Sequence, residues 1–278
     1  MSVSRSNELP SKAQKFISFV AAMMAKHPEK CYANIGYLSS QPHDLQPYVA
    51  FLEVLTEQDS TVKELLKRGL GGWRELKEIY SNHHESEVIS LLQEKLDGDA
   101  QNTQLDFGGT RGAHRKRPMR RDFGRALFEY TKKTDHYGDP VDLVSKDWRT
   151  MRDRLVGIRS FGPLAIFDYL ERLALTGFTS PPDEYLETGG GPERGIEAIF
   201  GDSANMIGKG NMLLKPLLQI TGNHRAIFAL ETFLCCMQKG EIEDSFTAFF
   251  ADKISLDELI SRYMIAFTRG TASPICPR

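Results

Sequence analysis

Apolar residues recur at three- and four-residue spacing over 11–27, 46–57, 59–82, 85–97, 121–133, 146–156, 163–176, 192–200, 223–239 and 255–268. No segment shows the two-residue alternation of a half-buried strand, so the pattern predicts an all-α fold. Ser255 followed by Glu258 forms a capping box at the start of the last segment. There is no repeat of fixed period. The stretch LDGDAQNTQLDFGGTRG, rich in glycine, aspartate and asparagine, marks a boundary. It divides the chain into an N-terminal helical layer (1–105), a middle region (106–240) and C-terminal helices (241–278). Segments 1–26 and 223–268 both read as helices with broad apolar faces, so the C-terminal helices are expected to pack on the N-terminal lobe, giving two helical lobes in all.

A chain of 278 residues with 41% apolar and 26% charged residues can bury a sizeable core. Its longest apolar run, Ile17 to Ala25, is too short to span a bilayer and runs into Lys26, His27 and Pro28. It reads as a buried helix face, with no membrane partner and a cytoplasmic location expected. Cys31, Cys235, Cys236 and Cys276 show no C-x-x-C spacing and no paired histidine motif. They are expected to be reduced thiols, with no metal and no cofactor.

Charge is unevenly spread. Between Phe107 and Lys133 lie Arg111, Arg115, Lys116, Arg117, Arg120, Arg121, Arg125, Lys132 and Lys133, against Asp122 and Glu129, in a chain whose net charge is −2. Glycines and Pro118 make the first half of this run a loop that enters a helix near Asp122. Such a run can be a solvated linker. The interleaved Phe107, His114 and Phe123 favour a nucleic-acid contact, because guanidinium groups neutralise phosphates while flat rings stack on an unpaired base. Phe107 and His114, with Tyr37 from CYANIGYLSS, are candidates for lining a base pocket.

A tight turn, Ile158-Arg159-Ser160-Phe161-Gly162-Pro163, separates the segments 146–156 and 163–176. Pro163 is preorganised for a first helical turn. The result is a helical hairpin whose second helix presents unpaired backbone N–H groups and a favourable dipole to a phosphate. Such a grip holds DNA without reading its sequence. A plain αα-corner has the same local pattern.

This region resembles the helix-hairpin-helix DNA glycosylase superfamily, whose hairpin runs approximately L-P-G-V-G-x-K-x-A; Ile158 to Ala165 lies over it. The resemblance implies backbone contacts to DNA from Arg159, Ser160, Phe161, Gly162 and Pro163. It also implies a catalytic aspartate about twenty residues past the second hairpin glycine, and Asp183 falls 21 residues after Gly162 in TSPPDEYLE. Glu184 and Glu187 are the next candidates. Read without the resemblance, Asp183 is also a helix N-cap or a solvated loop acid. Ser160 stands in place of the first hairpin glycine, and Leu164 in place of the lysine used by lyase-type members. The second departure implies chemistry without an enzyme amine.

Further along, GGGPERGIEAIFG (Gly189 to Gly201) and ALETFLCCMQKG (Ala229 to Gly240) resemble the alpha-glutamyl/putrescinyl thymine pyrophosphorylase families, glycosylase-fold proteins associated with hypermodified phage pyrimidines. The resemblance spans roughly 120–240 and implies double-stranded DNA with modified bases as the partner; no obligate protein partner is evident. The expected activity is a phage-defence glycosylase that excises a bulky base such as glucosylated 5-hydroxymethylcytosine. A transferase acting on hypermodified thymine and a non-catalytic DNA-binding module are the alternatives. Among the remaining residues, DSANMIGKGNM reads as a loop, Gly189–Gly191 as a place for close approach of DNA, and His224 and Glu231 as surface neighbours on one helix.

Overall fold

The structure is a computed structural model and describes residues 9–56, 59–66, 73–97, 123–134, 139–159, 161–186 and 188–268. Among them every regular element is helical. The all-α expectation therefore holds, and no helix among the described residues is long and apolar enough to cross a membrane. The chain divides into two compact units, one drawn from 34–181 and the other from 1–33 together with 182–278.

The unit 34–181 is built around α3 (Gln46–Thr56), in which every residue from Pro47 to Thr56 is buried. A helix apolar on all sides must be covered on all sides. Packed against it are α2 (Gly36–Ser39), α4 (Asp59–Leu65), α8 (Pro140–Leu143) and α10 (Pro163–Leu175). Helices α5 (Trp73–Asn82) and α6 (Glu85–Asp97) pair with one another, α7 covers 123–134, and α9 (Trp148–Leu155) packs on α10. An aromatic cluster fills the middle: Phe51 stacks on Tyr130 at 4.0 Å and meets Phe161 at 5.1 Å, and Phe161 meets Tyr169 edge-on at 5.9 Å. Tyr130 and Tyr169 share a hydroxyl hydrogen bond of 3.2 Å, and Tyr169 donates to the Pro47 carbonyl at 3.0 Å. Burial lifts both phenols above the usual tyrosine range. Glu53, inside α3, is tied to Arg172 of α10 at 3.0 Å, a pairing that such a buried carboxylate requires.

The other unit repeats the plan around α13 (Ala226–Cys236), buried from Ala226 through Leu234. Around it lie α1 (Ser11–Lys26), α11 (Gly190–Phe200) and α12 (Met206–Thr221), while α14 (Gly240–Phe250) and α15 (Leu256–Thr268) pair with each other and with α1. Phe19 of α1 is the common partner, 5.1 Å from Phe233, 4.9 Å from Phe246 and 5.8 Å from Tyr263. Gly191 and Gly195 make α11 fit α13: a Cβ on the first would lie 2.7 Å from the Cys235 sulfur, and one on the second 2.3 Å from the Leu234 carbonyl oxygen. Gly191 thus serves helix packing, where the sequence suggested close approach of DNA. Cys31 and Cys235 are thiols, but Cys236 is disulfide-bonded, a departure from four reduced cysteines. Successive helical residues point about 100° apart, so these neighbours occupy different surroundings: Cys235 faces Lys239 at 3.2 Å, and Cys236 faces the Tyr263 hydroxyl.

Candidate functional site

The hairpin begins with α9, whose N-cap Asp147 accepts the Thr150 N–H at 3.0 Å and its hydroxyl at 2.7 Å. The Thr150 side-chain and backbone bonds hold the Asp147 carboxyl below the usual range. Trp148, Met151 and Leu155 form the buried stripe of α9, leaving Arg149 and Arg152 outward over the Trp148 ring at 4.5 and 5.5 Å. The helix stops because Val156 is extended and Gly157 takes φ +90°, a conformation that a side chain disfavours. The turn then closes through Ile158 N–H to Leu155 O (3.3 Å) and Phe161 N–H to Ile158 O (3.1 Å).

Within this turn the predicted contact residues divide by role. Phe161 is 4% exposed and belongs, as a side chain, to the aromatic cluster, where it pins the turn to the core. Arg159, Gly162 and Pro163 are exposed. Gly162 is the N-cap of α10 and has no side chain with which to cap it; Pro163 has no N–H. The Gly162, Leu164 and Ala165 amides meet no acceptor among the described residues. The positive end of this 13-residue helix's dipole lies at the exposed Gly162 and Pro163. The base of the hairpin is closed by Ser180 N–H to Lys146 O (2.9 Å) and by the Lys146 ammonium on the Gly177 carbonyl.

Tyr37 sits in the same unit, on α2, half-buried with the Lys63 ammonium 4.7 Å from its ring centre. A base stacking on that ring face would have to displace the lysine. Ser160, Glu187, Phe107, Arg111, His114, Arg115, Lys116, Arg117, Arg120 and Arg121 lie outside the described residues.

Asp183 and Glu184 open the second stretch of the other unit, and the loop that carries them is firmly seated. Pro182 is buried, Asp183 exposed, Glu184 half-buried and Tyr185 only 1% exposed. The Tyr185 N–H donates to Asn211 Oδ1 at 2.9 Å, and its ring lies directly over Gly210 of α12. Further along the loop, the buried Thr188 donates to Glu231 at 3.4 Å. The exposed carboxylate of Asp183 therefore projects from a loop anchored two residues later.

Several of these anchors depart from the sequence reading. Residues 206–211 form the first turns of α12, with Asn205 as its N-cap in the left-handed conformation, instead of a loop. Lys209, in the stretch read from the sequence as a loop, is paired with Asp202 and holds that carboxyl below the usual range. His224 is exposed and precedes α13, whereas Glu231 is 1% exposed, so the two do not share a surface. Glu231 and Asn211 as supports of the acidic loop were missed; their partners Thr188 and Tyr185 lie 43 and 26 residues away. Among the described residues no group of three or more histidine, cysteine, aspartate or glutamate side chains is placed to hold a metal ion. No family model, curated protein or solved structure matches this chain.

Proposed function

We propose that this protein is a monofunctional DNA glycosylase of the helix-hairpin-helix type, removing a bulky modified pyrimidine such as glucosylated 5-hydroxymethylcytosine from phage DNA in antiviral defence. The observation that carries the reading is the helical hairpin with an open N-terminus at Gly162–Pro163, followed 21 residues later in the chain by an exposed carboxylate on an anchored loop. The hairpin amides take a phosphate oxygen, and the basic run 111–121 supplies counter-charge along the backbone.

The chemistry asked of Asp183 suits a carboxylate. A base inside a duplex has to leave the stack before its glycosidic bond is accessible, at a cost of a few kcal/mol that pocket and backbone contacts offset. As the C1′–N bond breaks, positive charge grows on the sugar. A nearby carboxylate stabilises that oxocarbenium-like state and takes a proton from the water whose oxygen bonds to C1′. The base leaves with the bonding electron pair and is protonated, and the sugar remains as an abasic site. Leu164 supplies no amine for a covalent alternative, and Lys146 and Lys209 are both engaged, with Gly177 and Asp202 respectively.

The test is direct. The protein is incubated with unmodified, hydroxymethylated and glucosylated duplexes, and released base is measured by mass spectrometry alongside alkali-labile sites. Free base with an equal number of abasic sites is the expected result. A changed base that stays attached to DNA would instead identify a transferase, and binding without any product a DNA-binding module.

A further inference from the structure

The two sides of the hairpin turn are held from a third helix. Lys133 of α7 donates to the Val156 carbonyl at 2.8 Å, and Glu129, one helical turn earlier, accepts the backbone N–H of Arg159 through Oε2. The other Glu129 oxygen, Oε1, accepts Arg125 Nε at 2.7 Å, and Arg125 reaches Glu85 of α6 at 2.8 Å. One carboxylate with its side chain 20% exposed thus joins the turn to an ion-pair chain running back to α6. Among the described residues the turn's own backbone bonds are those of the Ile158 and Phe161 amides, and Val156 at its start is 57% exposed. The described part of α7 starts at Phe123, two residues after the basic run 111–121 in the chain, so the two proposed DNA-contacting segments are linked in sequence through the helix that clamps the turn.

We propose that Glu129 is a positioning residue for the DNA grip: by holding the Arg159 amide it keeps the turn in the conformation that turns the α10 amides toward a phosphate. This rests on the reading of the hairpin as the grip. Positioning and simple electrostatics predict opposite signs. A carboxylate beside a phosphate site repels the phosphate, so removing its charge should tighten binding if Glu129 is a bystander. If it positions the turn, what matters is an acceptor oxygen at the right reach, and a charge without that reach is useless.

Two conservative variants separate the accounts. Glu129→Gln removes the charge and keeps one acceptor oxygen at the same reach for the Arg159 amide, with the Arg125 pairing lost, whereas Glu129→Asp keeps the charge and is one methylene too short. Affinity for a short unmodified duplex is measured across a salt series, because a backbone grip does not read sequence. Positioning predicts that Glu129→Asp loses about tenfold in affinity, the scale of one charge-assisted hydrogen bond, with an unchanged salt slope, and that Glu129→Gln stays near wild type. Hydrogen exchange at the Arg159 amide should quicken in the aspartate variant and not in the glutamine one. Wild-type affinity in Glu129→Asp, or tighter binding in Glu129→Gln, would overturn the assignment. Gly162→Asp, which puts a carboxylate where the phosphate should sit, supplies the control. If it weakens binding while the Glu129 pair follows electrostatics, the positioning role fails alone. Should the wild type not bind, or Gly162→Asp bind as the wild type does, the grip itself and this inference fall together.

Discussion

The ring of Tyr185 lies against Gly210 so closely that a Cβ at that glycine would fall 2.2 Å from two ring atoms. Tyr185 is also fixed by its backbone to Asn211, the next residue of the same helix. The loop bearing Asp183 is therefore set by the absence of a side chain on α12.

From this packing, Gly210→Ala should be destabilising by about 1–3 kcal/mol, since the ring must shift or the helix retreat. Thermal unfolding reads the loss directly. Base release should fall by more than the change in folded fraction accounts for, because the displaced ring carries the acidic loop with it. An alanine variant with wild-type melting and wild-type turnover would show that the ring repacks freely and that the anchor is unimportant.

For Asp183 the expectation is a separation of binding from chemistry. Asp183→Asn should abolish base release and leave DNA affinity near wild type, because the amide keeps the shape and loses the charge that balances the oxocarbenium ion. Wild-type product should contain intact abasic sites, cleaved only by added alkali, and borohydride should trap no covalent adduct. Full turnover in the asparagine variant would move the catalytic role to Glu184 or Glu187.

The basic run gives a prediction in salt dependence. Replacing Arg115, Lys116 and Arg117 with alanine should weaken binding to DNA of any sequence. Every phosphate that is no longer neutralised should reduce the log–log salt slope by roughly one or slightly less. A slope equal to that of the wild type would make the run a bystander.

Alkaline stability follows from the paired phenols. Burial raises Tyr130 and Tyr169 above their unfolded value of about 10. The stabilisation is complete below that pH. Above it the unfolded chain releases protons that the folded chain keeps, so stability falls as pH rises, by about 1.4 kcal/mol per pH unit for each tyrosine that stays protonated. Tyr169→Phe should cost about 1–3 kcal/mol at neutral pH through the lost bonds to the Pro47 carbonyl and the Tyr130 hydroxyl and make the decline between pH 10 and 12 shallower. Denaturant titrations at pH 8, 10 and 11 test this; parallel declines in the two proteins would exclude the phenol as the cause.

How far the sequence reveals such relationships depends on their range. Helices α1, α3, α9, α10 and α13 are legible in apolar spacing, and the α9–α10 turn in Gly157, Gly162 and Pro163, because these signals are local. Periodicity does not isolate α12: Gly208, Gly210 and Pro216 are poor helix formers, and packing of Leu213, Leu214 and Leu217 carries the helix instead. The capping box is half present, with the Glu258 N–H on Ser255 Oγ at 3.2 Å. The support of the proposed site is least legible of all. Glu129 meets a backbone amide 30 residues away, and Thr188 meets Glu231 across 43; no spacing rule links residues so distant in the chain.

The division of the chain also orders events during synthesis. Residues 34–181 leave the ribosome as one continuous stretch and can close around α3 at once. Helix α1 precedes its partners in the chain, and Phe19 finds Phe233, Phe246 and Tyr263 only after a further two hundred or so residues have been added, which at typical elongation rates takes on the order of 10–40 s. Throughout that interval the nascent chain displays Phe16, Phe19, Val20 and Met23 without their eventual cover. A helix whose aromatic partners all follow it at such a distance depends on chaperone shelter, and slow translation would prolong the time its apolar face stays sticky.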